Sequence, residues 1–173
     1  MPKKSTTEVY HISFDQATDI SGYCVWKNGK YICHGAFNLK SQKLEEEPRL
    51  REMMHSIIEL IEKFHPPTIS FEDTQFQNNA HSYKLLCRLQ GMIIEYCYLN
   101  DICFFIYPPS TWRKILGIKG KKRSELKAAA IDYVKTHYNI DATEDECEAI
   151  CIGAALFSQY GEKGENNNGT KKN

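Results

Sequence analysis

Apolar and polar residues alternate at the start of the chain. In "VYHISFD" (Val9–Asp15), Tyr10, Ile12 and Phe14 fall on one face and His11, Ser13 and Asp15 on the other, the two-residue period of a strand. The loop "QATDIS" leads to a second strand, "GYCVWK" (Gly22–Lys27), and Asn28-Gly29 then supplies the pair favoured in a tight type I′ hairpin turn. A third strand follows over "KYICHGAFNL". The period then changes. Leu50, Met53, Met54, Ile57, Ile58, Ile61 and Phe64 recur at helical spacing, which predicts an amphipathic helix from Pro48 to Phe64 that Pro66-Pro67 stops. "TISFED" (Thr68–Asp73) reads as a buried strand, followed by the polar loop "TQFQNNAHS" and a long, mostly apolar helix from Ser82 to Leu99. "ICFFIY" (Ile102–Tyr107) is the fifth strand, ended by Pro108-Pro109. A short helix over Ser110–Leu116, a basic loop, a helix over Ser124–Tyr138 and a final helix from Glu144 complete the order.

The succession β-β-β-α-β-α-β-α-α-α implies an α/β protein with a mixed five-stranded sheet. Strands one, four and five are expected to run parallel, because helical crossovers join the later ones. A chain of 173 residues makes one domain the expectation, here residues 1–160, with the polar tail "GEKGENNNGTKKN" (161–173) read as disordered. Seven cysteines raise the question of disulfides, but they form no CxxC pair and sit in apolar segments, and "MPKKSTTEVY" has no apolar signal core. Buried, reduced thiols and a cytoplasmic location are expected. No apolar run is long enough to span a membrane, so no membrane partner is expected. Formal net charge is zero, so any affinity for nucleic acid has to come from local clustering.

The acids supply the candidate chemistry. Asp15 closes the first strand and Glu72 the fourth, and ligands of open α/β sheets gather beyond the carboxyl ends of parallel strands. In "ATEDECEAICIGAALF" (142–157) two more acids fall on an apolar stripe. With Asp145 at zero on a helical wheel, Glu148 falls at about 300°, Ala149 at about 40°, Ile152 at about 340° and Leu156 at about 20°. Packed on the sheet, that stripe carries Asp145 and Glu148 towards Asp15 and Glu72. Thr143 and Glu146 fit a capping box, and acids in a first turn suit the helix dipole, but neither account explains Glu148. Four converging carboxylates repel, and a divalent cation relieves the cost. Oxygen donors alone suit Mg²⁺ or Mn²⁺ and not Zn²⁺, and two such ions support phosphodiester hydrolysis.

A basic segment follows the fifth strand. "STWRKILGIKGKKRSELK" (Ser110–Lys127) carries Arg113, Lys114, Lys119, Lys121, Lys122, Arg123 and Lys127 against a single acid, Glu125. Gly117 and Gly120 let such a loop follow a phosphate backbone, whose contacts carry affinity without sequence information. In the loop after Glu72, Phe76 would either stack on a base or anchor the loop in the core. The six histidines have no ligand spacing, and no Ser-His-Asp or Cys-His arrangement is legible.

Taken together, these segments resemble the RuvC family of Holliday junction resolvases, in its phage-type form, within the ribonuclease H-like superfamily. The similarity runs from about Tyr10 to Tyr160 and rests on "ISFDQATDISGYCVW", "ISFED", "NAHSYKLLCRLQG", "PPSTWRKILGIKGKKRSELK" and "DECEAICIG". The resemblance implies a ribonuclease H-like fold with helices on both faces of the sheet. It also implies a DNA recombination and repair enzyme, a homodimer that nicks two strands of a four-way junction using Mg²⁺ or Mn²⁺, two ions to a site. Asp15, Glu72, Asp145 and Glu148 would be the catalytic metal ligands. Lys119, Lys121, Lys122 and Arg123 would hold DNA phosphates, with Gln75, Phe76 and Asn79 also at the DNA, and the helix from Ser82 would contribute to the dimer interface. A phage-encoded member would work in the host cytoplasm. Two positions depart from the family pattern: Glu148 stands where the fourth acid is usually Asp, and Gln75, followed by Phe76, stands where bacterial members insert a Phe into the junction. The alternatives are a ribonuclease H-like nuclease acting on flaps, forks or RNA–DNA hybrids, and a branched-DNA binding module without catalysis.

Overall fold

Hydrogen bonding between backbones arranges the predicted strands as a five-stranded sheet in the order β3-β2-β1-β4-β5. The structure is a computed structural model that describes residues 8–76 and 79–165, without the side chains of 160–165. Strand β1 (Tyr10–Asp15) pairs antiparallel with β2 (Ile20–Lys27), which pairs antiparallel with β3 (Lys30–Asn38). At the hairpin Asn28 and Gly29 both take positive φ, 52° and 75°, as a type I′ turn requires. On its other side β1 runs parallel to β4 (Thr68–Glu72), and β4 parallel to β5 (Cys103–Tyr107). The mixed sheet and its parallel trio are as expected.

Helices cover both faces. Helix α1 (Glu46–Phe64) ends where His65 turns left-handed at φ 45° ahead of the proline pair, and α2 (Ala80–Leu99) begins two residues before its expected start. Asn79 is the reason: its side-chain oxygen accepts from the amides of His81 and Ser82 at 2.9 and 3.2 Å and caps the helix. The alternation read in β1 divides the core in two. Ile12 and Phe14 join Met53, Ile57, Ile69, Phe71, Leu89 and Ile93 beneath α1 and α2. The opposite face of the sheet meets α3 (Pro109–Ile115), α4 (Arg123–Tyr138) and α5 (Glu144–Glu165), with Trp26, Trp112, Ala130, Val134, Ile150 and Ile152 buried between them. The α5 helix reaches Glu165, so the first five residues of the expected disordered tail are helical, while 166–173 lie outside the described residues.

Helix α5 lies unusually close to the sheet, and two glycines make room for it. A Cβ on Gly153 would come within 2.2 Å of Trp26 Nε1 and 2.6 Å of Ser13 Oγ. Without it, Ser13 Oγ donates to the Ala149 carbonyl at 2.7 Å and Trp26 Nε1 donates to Ser13 Oγ at 3.0 Å, which satisfies the polar groups at the crossing. A Cβ on Gly22 would sit 2.0 Å from the Asp145 carbonyl oxygen, so the first turn of α5 presses directly on β2. All seven cysteines are free thiols, but the expected burial holds only for Cys24, Cys97, Cys147 and Cys151; Cys33 and Cys87 are half-buried, and Cys103 is exposed at the start of the edge strand β5. Burial pushes the Cys147 thiol up to about 11 and Cys151 higher still, which makes both poor nucleophiles. Among the described residues no helix is long and apolar enough to cross a membrane.

Candidate active site

Parallel pairing places the first two acids. Phe14 lies opposite Phe71, so Asp15 and Glu72 are the next residues along neighbouring strands, at the carboxyl edge of the sheet. Asp15 is also paired with Gly22 of β2, the residue that admits the Asp145 backbone. The register and the missing Cβ thereby bring the first turn of α5 onto the same edge. Asp15, Glu72, Asp145 and Glu148 line one cleft of about 370 Å³, together with Gln75, Arg113, Lys121, Lys122, Arg123 and Lys127.

Within α5, Ala149 and Ile152 are fully buried and Leu156 nearly so, and Glu148 is buried at the head of that stripe, 6% exposed. The stripe is wider than its wheel position implied: Cys147, Ile150 and Cys151 are also buried, because α3 and α4 cover the side of α5 away from the sheet. The capping box forms by half. The Glu146 carboxylate accepts from the Thr143 amide at 2.7 Å, but the Thr143 hydroxyl donates to the same carboxylate instead of capping an amide. Glu144 does not line the cleft and pairs with Lys127 at its edge.

The acids shift one another's ionisation. Burial first, then the charges of Glu148, Glu72 and Asp145, push the Asp15 carboxyl well above the usual carboxylate range, against a smaller pull from Lys127. Burial likewise raises Glu72 to about 7, opposed by its hydrogen bond from Trp112. Two groups that the carboxylate pattern did not reveal hold these acids. Trp112 Nε1 donates to Glu72 Oε2 at 2.8 Å, and Arg113 Nη2 donates to Glu148 Oε1 at 2.8 Å. Gln16 Nε2 also donates to the Glu72 carbonyl. The dipeptide Trp112-Arg113 lies in the basic segment of the sequence, where Arg113 is one positive charge among seven. Nothing in the linear pattern ties it to acids 40 and 35 residues away.

With Glu72 and Glu148 so engaged, no three acidic, histidine or cysteine side chains among the described residues are gathered tightly enough to hold a cation as they stand. The donor set nevertheless fits one. Four carboxylates from two strands and a helix face a single cleft, and their mutual repulsion, visible in Asp15, is what a hard divalent cation relieves. The expected phosphate contacts divide between two places. Lys121, Lys122 and Arg123 line the acidic cleft, while Lys119 lines an adjoining groove of about 490 Å³ with Lys114, Ile118 and Leu126. Gln75 is exposed and borders both. Phe76 is 62% exposed with its ring edge-on to Tyr83 at 5.7 Å, so it does not anchor the loop in the core. Asn79, expected at the DNA, spends its side-chain oxygen on the α2 cap.

Solved structures share this arrangement of elements. The Thermus thermophilus RuvC in complex with a Holliday junction superposes with a TM-score of 0.71 at 13% identity, covering 90% of this chain and 97% of that one. The yeast mitochondrial Holliday junction resolvase Ydc2 gives 0.61 at 16% identity, covering 91% and 81%. The fowlpox virus resolvase bound to Holliday junction DNA gives 0.56 at 12% identity, covering 86% and 99%. No curated protein matches by sequence. At such identities the superpositions show the fold, and the family is shown by sequence: the model for crossover junction endodeoxyribonuclease RuvC matches residues 12–154, most of the chain, and this protein belongs to that family.

Proposed function

We propose that this chain is a divalent-metal-dependent endonuclease that resolves four-way DNA junctions by hydrolysing phosphodiester bonds. The observation that carries the reading is the single cleft in which four carboxylates face three cations of the basic loop, Lys121, Lys122 and Arg123. A cleft meant only to bind DNA has no use for gathered negative charge, which repels the phosphates.

Asp15, Glu72, Asp145 and Glu148 would hold the metal. Bound there, Mg²⁺ or Mn²⁺ lowers the pKa of a nucleophilic water and stabilises the leaving oxygen, with two ions able to do both. The chain's own contribution is position and charge. Asp15 and Glu72 come from adjacent strand ends and are fixed by sheet register, so their spacing is rigid. Lys121, Lys122 and Arg123 seat the backbone phosphate at the lip, and Lys119 extends that seat along the neighbouring groove. Exposed Gln75 and Phe76 stand where the loop after Glu72 would meet opened bases.

Cutting two strands symmetrically requires two copies. Helix α2 offers a surface for that: Met92, Tyr98 and Leu99 are exposed, and an apolar groove of about 720 Å³ runs between it and α1. The exposed apolar side chains support a homodimer through α2.

The test is cleavage of a four-way junction with Mg²⁺ or Mn²⁺ against cleavage of flaps, forks and RNA–DNA hybrids. Asp15→Asn and Glu148→Gln should abolish cleavage while junction binding persists. Equal cleavage by wild type and both variants would refute the site assignment, and faster cleavage of RNA–DNA hybrids would move the activity elsewhere in the superfamily.

A further inference from the structure

Arg113 stands at the wall between two concavities. It lines the carboxylate cleft, and it also lines the adjoining groove with Lys114, Lys119 and Gln75. Its guanidinium donates through Nη2 to Glu148 Oε1 at 2.8 Å, with side-chain exposures of 18% for Arg113 and 9% for Glu148. The group also stacks over the Trp112 ring, 4.5 Å from the centroid. Its Nε is buried and finds no hydrogen-bond partner among the described residues. One bond to an acid, a stacked face and an unspent donor describe a cation that is held but incompletely satisfied.

Resting on the proposed metal site, we propose that Arg113 is the exchangeable counter-ion of the acidic cluster: a divalent cation must displace it from Glu148 to bind. Glu148 is buried with Arg113 on its Oε1, and a guanidinium and a metal ion held on one buried carboxylate repel each other. The released guanidinium does not need to travel. It already borders the groove of Lys114 and Lys119, where the added charge would meet a DNA phosphate. Cation loading and the grip on DNA beside the scissile bond are then coupled through one side chain.

Two measurements test the exchange without relying on cleavage. Arg113→Met removes the competitor, so Mn²⁺ should bind about tenfold more tightly, within the range of coupling between linked sites, by titration calorimetry. If Arg113 merely oriented Glu148 for the metal, the same variant would bind Mn²⁺ more weakly. Weaker or unchanged affinity overturns the proposal. Arg113→Met leaves a buried carboxylate unpaired and could fail to fold, so the second measurement uses the wild-type protein. Phenylglyoxal labelling of Arg113, followed by mass spectrometry, should speed up when Mn²⁺ is added, because the freed guanidinium loses its ion-pair protection. An unchanged labelling rate also overturns the proposal. Glu148→Gln separates this inference from the site itself. If that variant binds Mn²⁺ as wild type does, the metal-site reading fails. If it loses Mn²⁺ while Arg113→Met gains nothing, only the exchange fails.

Discussion

The Gly22→Ala substitution is the sharpest test of how the site is assembled. A Cβ at that position would stand 2.0 Å from the Asp145 carbonyl oxygen and 2.4 Å from its carbonyl carbon, and ordinary contact begins at 3.4 Å. Both neighbours are backbone, so no side chain can rotate away, and either α5 or β2 has to move by about 1 Å or more. Overpacking of this kind costs about 1–3 kcal/mol, and a backbone-to-backbone clash belongs at the upper end. The more telling effect is local. Gly22 is the register partner of Asp15, so the displaced turn is the one that sets Asp145 and Glu148 against Asp15. A misplacement of about 1 Å in a catalytic constellation costs on the order of 100-fold in rate. Urea denaturation gives the stability, and junction cleavage well below the melting temperature gives the rate. Gly91→Ala is the control for stability alone, because a Cβ there meets nothing within 4 Å and replaces a mid-helix glycine of α2, but the position lines the groove offered to a second copy. It should stabilise the protein by about 0.5–1 kcal/mol. Wild-type stability and cleavage in Gly22→Ala would refute the close approach of α5 to β2.

Two further outcomes follow from the charges. Glu72 in the folded protein titrates near 7, above its unfolded value of 4.5, so between those pH values the unfolded chain sheds a proton that the folded chain keeps. Glu72 therefore contributes stability that is lost as pH rises from about 4.5 to 7, with buried Asp15 acting in the same sense and buried His11 in the opposite one. The difference isolates Glu72: in pH-dependent urea melts with a chelator, wild type should lose stability relative to Glu72→Gln across that window, and an unchanged difference would contradict the burial of Glu72. Neutralising Lys121, Lys122 and Arg123 together should weaken junction binding and reduce the salt slope by about 0.9 for each DNA phosphate left without a protein cation. Unchanged affinity would return those residues to a solvated loop.

Much of the architecture was legible because it is local. Period-two alternation separates Ile12 and Phe14 from His11 and Ser13 in the sequence alone, and those sets lie on opposite faces of the sheet, in different cores. The Asn28-Gly29 turn followed from the positive φ that both residues tolerate. Helix starts are less legible: Asn79 caps α2 through its own side chain, and that signal lies inside a polar loop ahead of the apolar onset at Ser82.

For the site, the sequence by itself determined the residue types and their phase. Asp15 and Glu72 end strands, and Asp145 and Glu148 share a helical face, because strand and helix periodicities are properties of neighbouring residues. Tertiary structure decided how those faces meet. Parallel register put Asp15 beside Glu72, and the missing side chain at Gly22 let α5 close on them. It also decided which hydrogen-bond donors hold the acids. Arg113 reaches Glu148 because α3 packs against α5, and Trp112 of the same helix reaches Glu72 at the end of β4; the partner of a buried charge depends on distance in space, which no spacing along the chain encodes.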